Sequence, residues 1–205
     1  MRINERLNLV IPIYGDDEND VVAWVHSTPI SRDVFDAHYL LIAKTFSVLH
    51  TQRLGEIAGP RIAANVLRDQ ARELTRTADD ADAVLHPLLA EIHRLTNVLL
   101  PTSAGWETHT YDQVLSRKLL SPEDVSEVES AVTFFTVISL MHKRVVARQF
   151  LEGAARLWGA QLTSSNVTGW AASLPTLTAP ATSSATAAST SPAVSPVVPT
   201  SSVPS

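Results

Sequence analysis

Histidine is the residue type in this chain with the most chemistry to offer, because imidazole binds metals and moves protons near neutral pH. There are seven. His86 and His93 stand seven apart, on one helical face and about two turns from each other. Zinc-binding helices space their ligands one turn apart, so this pair needs help from elsewhere to share an ion. Histidines at a solvent edge or a cap are the ordinary explanation. His38 falls on the apolar stripe of its own helical pattern and reads as a satisfied core histidine. The carboxylate pairs Asp16-Asp17 and Asp79-Asp80 lie in polar strings that read as solvated turns. The chain contains no Gly-Lys-Ser/Thr phosphate loop, no Gly-x-Ser-x-Gly elbow and no cysteine. Phosphate-loop enzymes, serine hydrolases of the elbow type, thiol nucleophiles, thiolate metal sites and disulfides are thereby excluded. The expectation is a protein without catalytic residues, metal ligands or a cofactor.

Binding chemistry is better represented. Arg61, Arg68, Arg72 and Arg76 recur on the polar side of one helical pattern, which reads as a solvated face with an acidic partner as the alternative. Trp106, Trp158 and Trp170 are large aromatics near the ends of predicted elements. Trp170 sits in a charge-free, irregular stretch, where it either anchors in a partner or folds back on the helices. Val22 and Trp24 belong to a β-branched run whose open edge can accept a strand. The candidate partner-binding residues are therefore Val22, Trp24, Trp158 and Trp170.

The elements that position these residues follow from periodicity and punctuation. Leu7–Ile13 and Val21–His26 are short β-branched runs joined by a Gly/Asp/Asn-rich link, which predicts a hairpin. Pro12 restricts its strand to an edge or a short length. A helix is expected from Ser31 to about Leu54, and a second from Pro60 to about Arg76. The stripe Leu85, Leu88, Ile92, Leu95 and Leu99 predicts a third, stopped by Pro101. Gly105–Thr108 reads as an extended link and Tyr111–Leu120 as a weak helix. The most apolar stretch, Ala131–Met141, lies in a helix opened by Ser121-Pro122, broken near Lys143 and resumed to Trp158. At eleven residues, with Thr and Ser inside it, that run is too short to span a bilayer.

Composition sets the outer limits. A chain of 205 residues, 45% hydrophobic and 18% charged, can bury a sizeable core. Its net charge of −5 argues against nucleic acid as a partner. An acidic residue at Glu5, a short apolar piece broken by Asn8 and Pro12, and no small-residue cleavage site argue against a signal peptide, so the expected location is cytoplasmic and away from membranes. Pro175 to Ser205 holds only Ser, Thr, Pro, Ala, Val and one Leu, too little bulky apolar surface to offset ordering entropy. The expected architecture is mainly α. A bundle-like domain of five to six helices (30–172) follows an N-terminal β-hairpin (1–29) and precedes a disordered Ser/Thr/Pro/Ala-rich tail (173–205).

Five strings carry a resemblance as a set: Val25-His-Ser-Thr-Pro-Ile-Ser31, Arg94-Leu-Thr-Asn-Val-Leu-Leu-Pro101, Gly105-Trp-Glu-Thr108, Ala155-Arg-Leu-Trp-Gly-Ala-Gln161 and Ala172-Ser-Leu-Pro-Thr176. The set resembles proteins encoded in the tail-gene clusters of long-tailed bacteriophages, and the layout is similar to the lambda-type tail assembly chaperones. The resemblance spans most of residues 1–176. It implies a mostly helical, non-enzymatic protein of the host cytoplasm that holds the tape-measure protein soluble and helps recruit tail-tube proteins. It also implies absence from the finished virion and, in many members, a longer frameshifted product. Copies of the same chain are a further expected partner. The alternative is a structural virion component, a minor tail or head–tail connector protein, whose hairpin adds a strand to a neighbour's sheet.

Overall fold

The structure, a computed structural model, describes residues 7–15, 20–51 and 58–175. The expected tail from residue 176 onward, and the Asp16-Asp17 turn, lie outside these residues. In chain order the elements are β1 (Asn8–Tyr14), β2 (Val21–Ser27), α1 (Arg32–Ala37), α2 (Tyr39–Thr51), α3 (Gly59–Leu74) and α4 (Ala78–Arg94). There follow β3 (Thr96–Thr102), β4 (Gly105–Thr110), α5 (Tyr111–Arg117), α6 (Pro122–Met141), α7 (Arg144–Leu157), β5 (Gln161–Thr163) and α8 (Val167–Ser173).

The expected helix bundle with an appended hairpin is incorrect. The described residues form eight helices and a five-stranded antiparallel sheet of order β4-β3-β2-β1-β5, with the N-terminal hairpin at its centre. An isolated hairpin is marginal in water, and here β3 and β5 extend it on its two sides. The segment read as the end of a helix is β3. Its Leu99 continues a three/four spacing by coincidence, but α4 ends at Arg94 and Thr96 is already in the strand. Thr96 Oγ1 donates to the Ile92 carbonyl at 2.8 Å and occupies one of the free acceptors at the helix end. The supposed link at Gly105–Thr108 is part of β4, joined to β3 by a two-residue turn. The Thr102 hydroxyl braces this turn by donating to the Gly105 carbonyl at 2.9 Å.

Both prolines of the sheet sit where their strand has only one neighbour. β2 pairs with β3 as far as Leu99, so Pro101 faces β4 alone. β5 pairs with β1 only over Asn8–Val10, so Pro12 lies beyond its reach. A missing N–H is least harmful at such positions.

The expected single helix from Ser31 is two, α1 and α2. They divide at His38, whose N–H is shared between the Val34 and Phe35 carbonyls at 3.1 Å each. Ser31 caps α1 as its type predicts. The helix at the centre of the fold is α6. Ser121 and Asp124 form a capping box around Pro122 at its start. From Val128 to Ile138 every residue except Glu129 is buried. A helix apolar on nearly all sides needs neighbours on nearly all sides. Here α3 lies most extensively along it, offering the small buried residues Ala63, Ala64 and Ala71, while α7, α2 and β1 close the remainder.

Strand register assigns the two faces of the sheet. Leu9, Ile11, Ile13, Ala23, Val25 and Val98 point toward the helices and join the main core. Val10, Trp24, His26, Leu99 and Trp106 point the other way.

Candidate functional site

The half of β1 that β5 does not reach borders a cavity of about 160 Å³. Ile11 and Ile13 of β1, Phe134 and Phe135 of α6, and Leu151 of α7 give it buried apolar walls. Tyr14, 44% exposed, and the half-buried Trp158 line it toward solvent. Asp124 and Glu127, from the first turns of α6, add carboxylates to the lining. A cavity of about 150 Å³ with aliphatic and aromatic walls accommodates a benzene-sized group. The space therefore suits one large apolar side chain with a cation beside it. Trp158 caps the C-terminus of α7, and the Arg61 guanidinium lies over its ring at 5.0 Å. That cation–π contact fixes the indole at the cavity wall.

Trp24 and Trp170 form a different group on the opposite face of the sheet. Their rings meet edge to face, with centroids 5.8 Å apart. The segment around Trp170, expected to be irregular, is the short helix α8. Asn166 caps it by accepting from the Gly169 N–H at 2.8 Å. Trp106 Nε1 donates to the Pro175 carbonyl at 3.2 Å, so a third tryptophan ties the same segment to the sheet. Val22 is half-buried at the hairpin end of β2, beside Gly15. The four sequence candidates thus fall in three places. Trp24 and Trp170 are brought together, Trp158 belongs to the cavity, and Val22 lies apart. The open hairpin edge expected to accept a strand is closed on the β2 side by β3 and over Asn8–Val10 by β5. The long free edge among the described residues is that of β4.

A polar cluster that sequence reasoning passed over lies between α3, α4 and α6. Glu129 interrupts the buried face of α6 with a side chain only 13% exposed. Arg68 of α3 pairs with one of its oxygens, and His93 Nε2 of α4 stands 3.4 Å from the other. Burial pushes the Glu129 carboxyl up, but His93 and Arg68 together outweigh it and hold the group below the usual carboxylate range. Tyr111 packs on the His93 ring at 4.8 Å and donates to the Val125 carbonyl at 3.1 Å. Burial, with the Glu129 charge second, pushes the Tyr111 phenol well above its ordinary value, so it remains a neutral donor. We expect Tyr111→Phe to cost about 1 kcal/mol, the net worth of one such bond. A change below about 0.3 kcal/mol in urea titrations would mean that the Val125 carbonyl finds another donor.

The Arg61–Arg76 face, read as solvated, is largely committed within the chain: Arg61 to Trp158, Arg68 to Glu129 and Arg72 to Asp69. Asp79 and Asp80 lie in the first turn of α4 rather than in a loop. The N-cap Thr77 hydroxyl accepts from the Asp80 N–H at 3.2 Å and donates to the Asp80 carboxylate at 2.7 Å. His86 is exposed, and His38 is half-buried with a ring pKa lowered by burial. Among the described residues no three His, Asp or Glu side chains are arranged to hold a metal ion, and no helix is long and apolar enough to cross a membrane. No protein-family model, curated protein or solved structure matches the chain.

Proposed function

We propose that this chain is a non-catalytic binding protein of phage tail assembly, a chaperone that holds the tape-measure protein soluble in the host cytoplasm and assists tail-tube assembly. The observation that carries the binding part of this reading is the apolar cavity at the half-open edge of β1. A client of long amphipathic helices presents rows of Leu or Phe flanked by charge, and helix-in-groove recognition proceeds through such anchors. One apolar anchor fits between Trp158 and the phenylalanines of α6. A Lys or Arg one turn along the client then reaches Glu127, which is exposed on α6. The resemblance of the sequence to tail assembly chaperones supplies the identity of the client.

Co-expression with the tape-measure protein tests this directly. The wild-type chain keeps the client in the soluble fraction and co-purifies with it. Glu127→Lys, at an exposed position, should change stability by no more than about 0.5 kcal/mol, yet it should reduce client recovery severalfold. Equal recovery by wild type and Glu127→Lys would remove the cavity rim from the interface. Failure of the wild type to solubilise the client would end the chaperone reading.

The virion-component reading is favoured by one feature, the edge of β4. Its six residues pair only with β3 among the described residues and carry exposed Glu107 and Thr108. Such an edge can add to a neighbour's sheet. Mass spectrometry of purified virions separates the two readings, because a chaperone is missing from mature particles.

A further inference from the structure

After α7 the chain turns at Trp158–Ala160 and adds β5 to the edge of the sheet beside β1. It then crosses the outer face as α8 and the residues to Pro175, which meet Trp24 and Trp106. We propose that residues 161–175 are an exchangeable strap, and that two copies of the chain pair by trading it.

The strap has one apolar anchor against the main core, Leu162, and otherwise a short set of strand, polar and aromatic contacts. β5 contributes three residue pairs, Asn8 with Thr163, Leu9 with Leu162 and Val10 with Gln161. The Ser165 carbonyl accepts from Asn8 Nδ2 at 2.8 Å and from His26 Nε2 at 2.9 Å. Beyond these anchors are the Trp24–Trp170 edge contact and the bond from Trp106 to Pro175. No residue of α8 is itself buried. The face underneath nevertheless holds Val10 and Leu99 with no exposure at all. A lifted strap would leave that apolar face in water, an exposure that soluble chains cover.

The occupant best fitted to cover it is the same segment from another copy. Each contact broken within a chain is remade between chains in identical form, from the strand register to the doubly accepting carbonyl. Each copy gives one strap and receives one, so the pair closes with two-fold symmetry. The balance between monomer and dimer then rests on the entropy of association and on the hinge. That hinge is three residues long, and short hinges invite exchange. In its closed form Trp158 N–H and Ala160 N–H both bond to the Ala155 carbonyl at 3.0 Å, and Gly159 takes φ +65°. This conformation is open to glycine and strained for alanine. A Cβ at Gly159 would also sit 3.2 Å from Tyr14 Oη.

The test uses the full chain, which has no cysteine of its own. Leu9→Cys with Leu162→Cys places a thiol on each side of the β1–β5 pair. Light scattering after gel filtration, from low to high micromolar concentration, should show a dimer that grows with concentration. Oxidation of the separated dimer should give a covalent dimer on a non-reducing gel, and oxidation of the monomer only an internal link. Gly159→Ala should raise the dimer fraction at least about fivefold at a given concentration, from the strain of a left-handed alanine. A dimer that yields only internal links associates through another surface and overturns the proposal. So does a monomer at every concentration in both the cysteine pair and a folded Gly159→Ala. If Gly159→Ala does not fold, by circular dichroism, the cysteine pair alone decides.

Discussion

Arg68→Met should destabilise the protein by about 3 kcal/mol at neutral pH, because it leaves the Glu129 carboxylate inside the helical layer without its main counter-charge. The lower part of the range known for broken buried pairs applies, since the Arg68 side chain is 33% exposed and water can partly replace it. Removing both charges, with Arg68→Met and Glu129→Met together, should recover most of the loss. Two well-packed apolar groups of similar volume are often as stable as the pair they replace. The pH dependence follows from the direction of the Glu129 shift. A carboxyl held below its ordinary value stabilises the fold at pH values above the unfolded pKa, and the contribution is lost as pH falls through the folded one. The deficit of Arg68→Met relative to wild type should therefore shrink on acidification below about pH 4. Urea midpoints at neutral and acid pH measure both effects. An equal deficit at both pH values, or a double variant no better than the single one, would show that Arg68 acts by packing rather than by charge.

Phe135→Ala should cost about 3–5 kcal/mol, the range for an aromatic deleted from a core. Phe135 is 1% exposed and lies on the helix around which the others pack. For a chain of this size that corresponds to a fall of about 6–20 °C in melting temperature. Its ring also lines the cavity beside β1, so truncation should enlarge that space. An apolar probe such as benzene should then raise the melting temperature of the variant more than that of wild type. An unchanged midpoint would place Phe135 outside the core and undo the packing described for α6. A probe without effect would mean that the neighbours collapse into the gap.

What could be read from the sequence were the features that neighbouring residues decide. Ser121-Pro122, Thr77 and Pro60 open helices because each supplies or spares a partner for an orphan amide, and the structure starts α6, α4 and α3 there. The interruption near Lys143 is also present, with α6 ending at Met141 and α7 beginning at Arg144. Beyond the β1–β2 hairpin the sheet was not legible, since its other pairings join segments that carry no mark of each other. Ser27 meets Thr96 across 69 positions, and Asn8 meets Ser165 across 157. Leu99 misled because an apolar strand residue can extend a helical stripe by chance. The polar cluster was missed for the same reason as the sheet. Spacing relates His93 to His86 on its own helix, whereas the groups it meets, Glu129 and through it Arg68, stand on α6 and α3. The one local signal was Glu129 itself, an acid inside the apolar run of α6. Asn166, three residues before Gly169, was a readable cap for α8.

The strand order has a consequence for synthesis. β1 and β2 can form their hairpin as soon as residue 27 is available, but β5 pairs with β1 only after residue 163 has been made. At ordinary translation rates that interval is on the order of ten seconds. Throughout it β1 has hydrogen-bonding groups along an edge that its own chain has not yet covered, the condition in which strands recruit foreign partners. Another nascent copy on the same message is the nearest source of a matching segment.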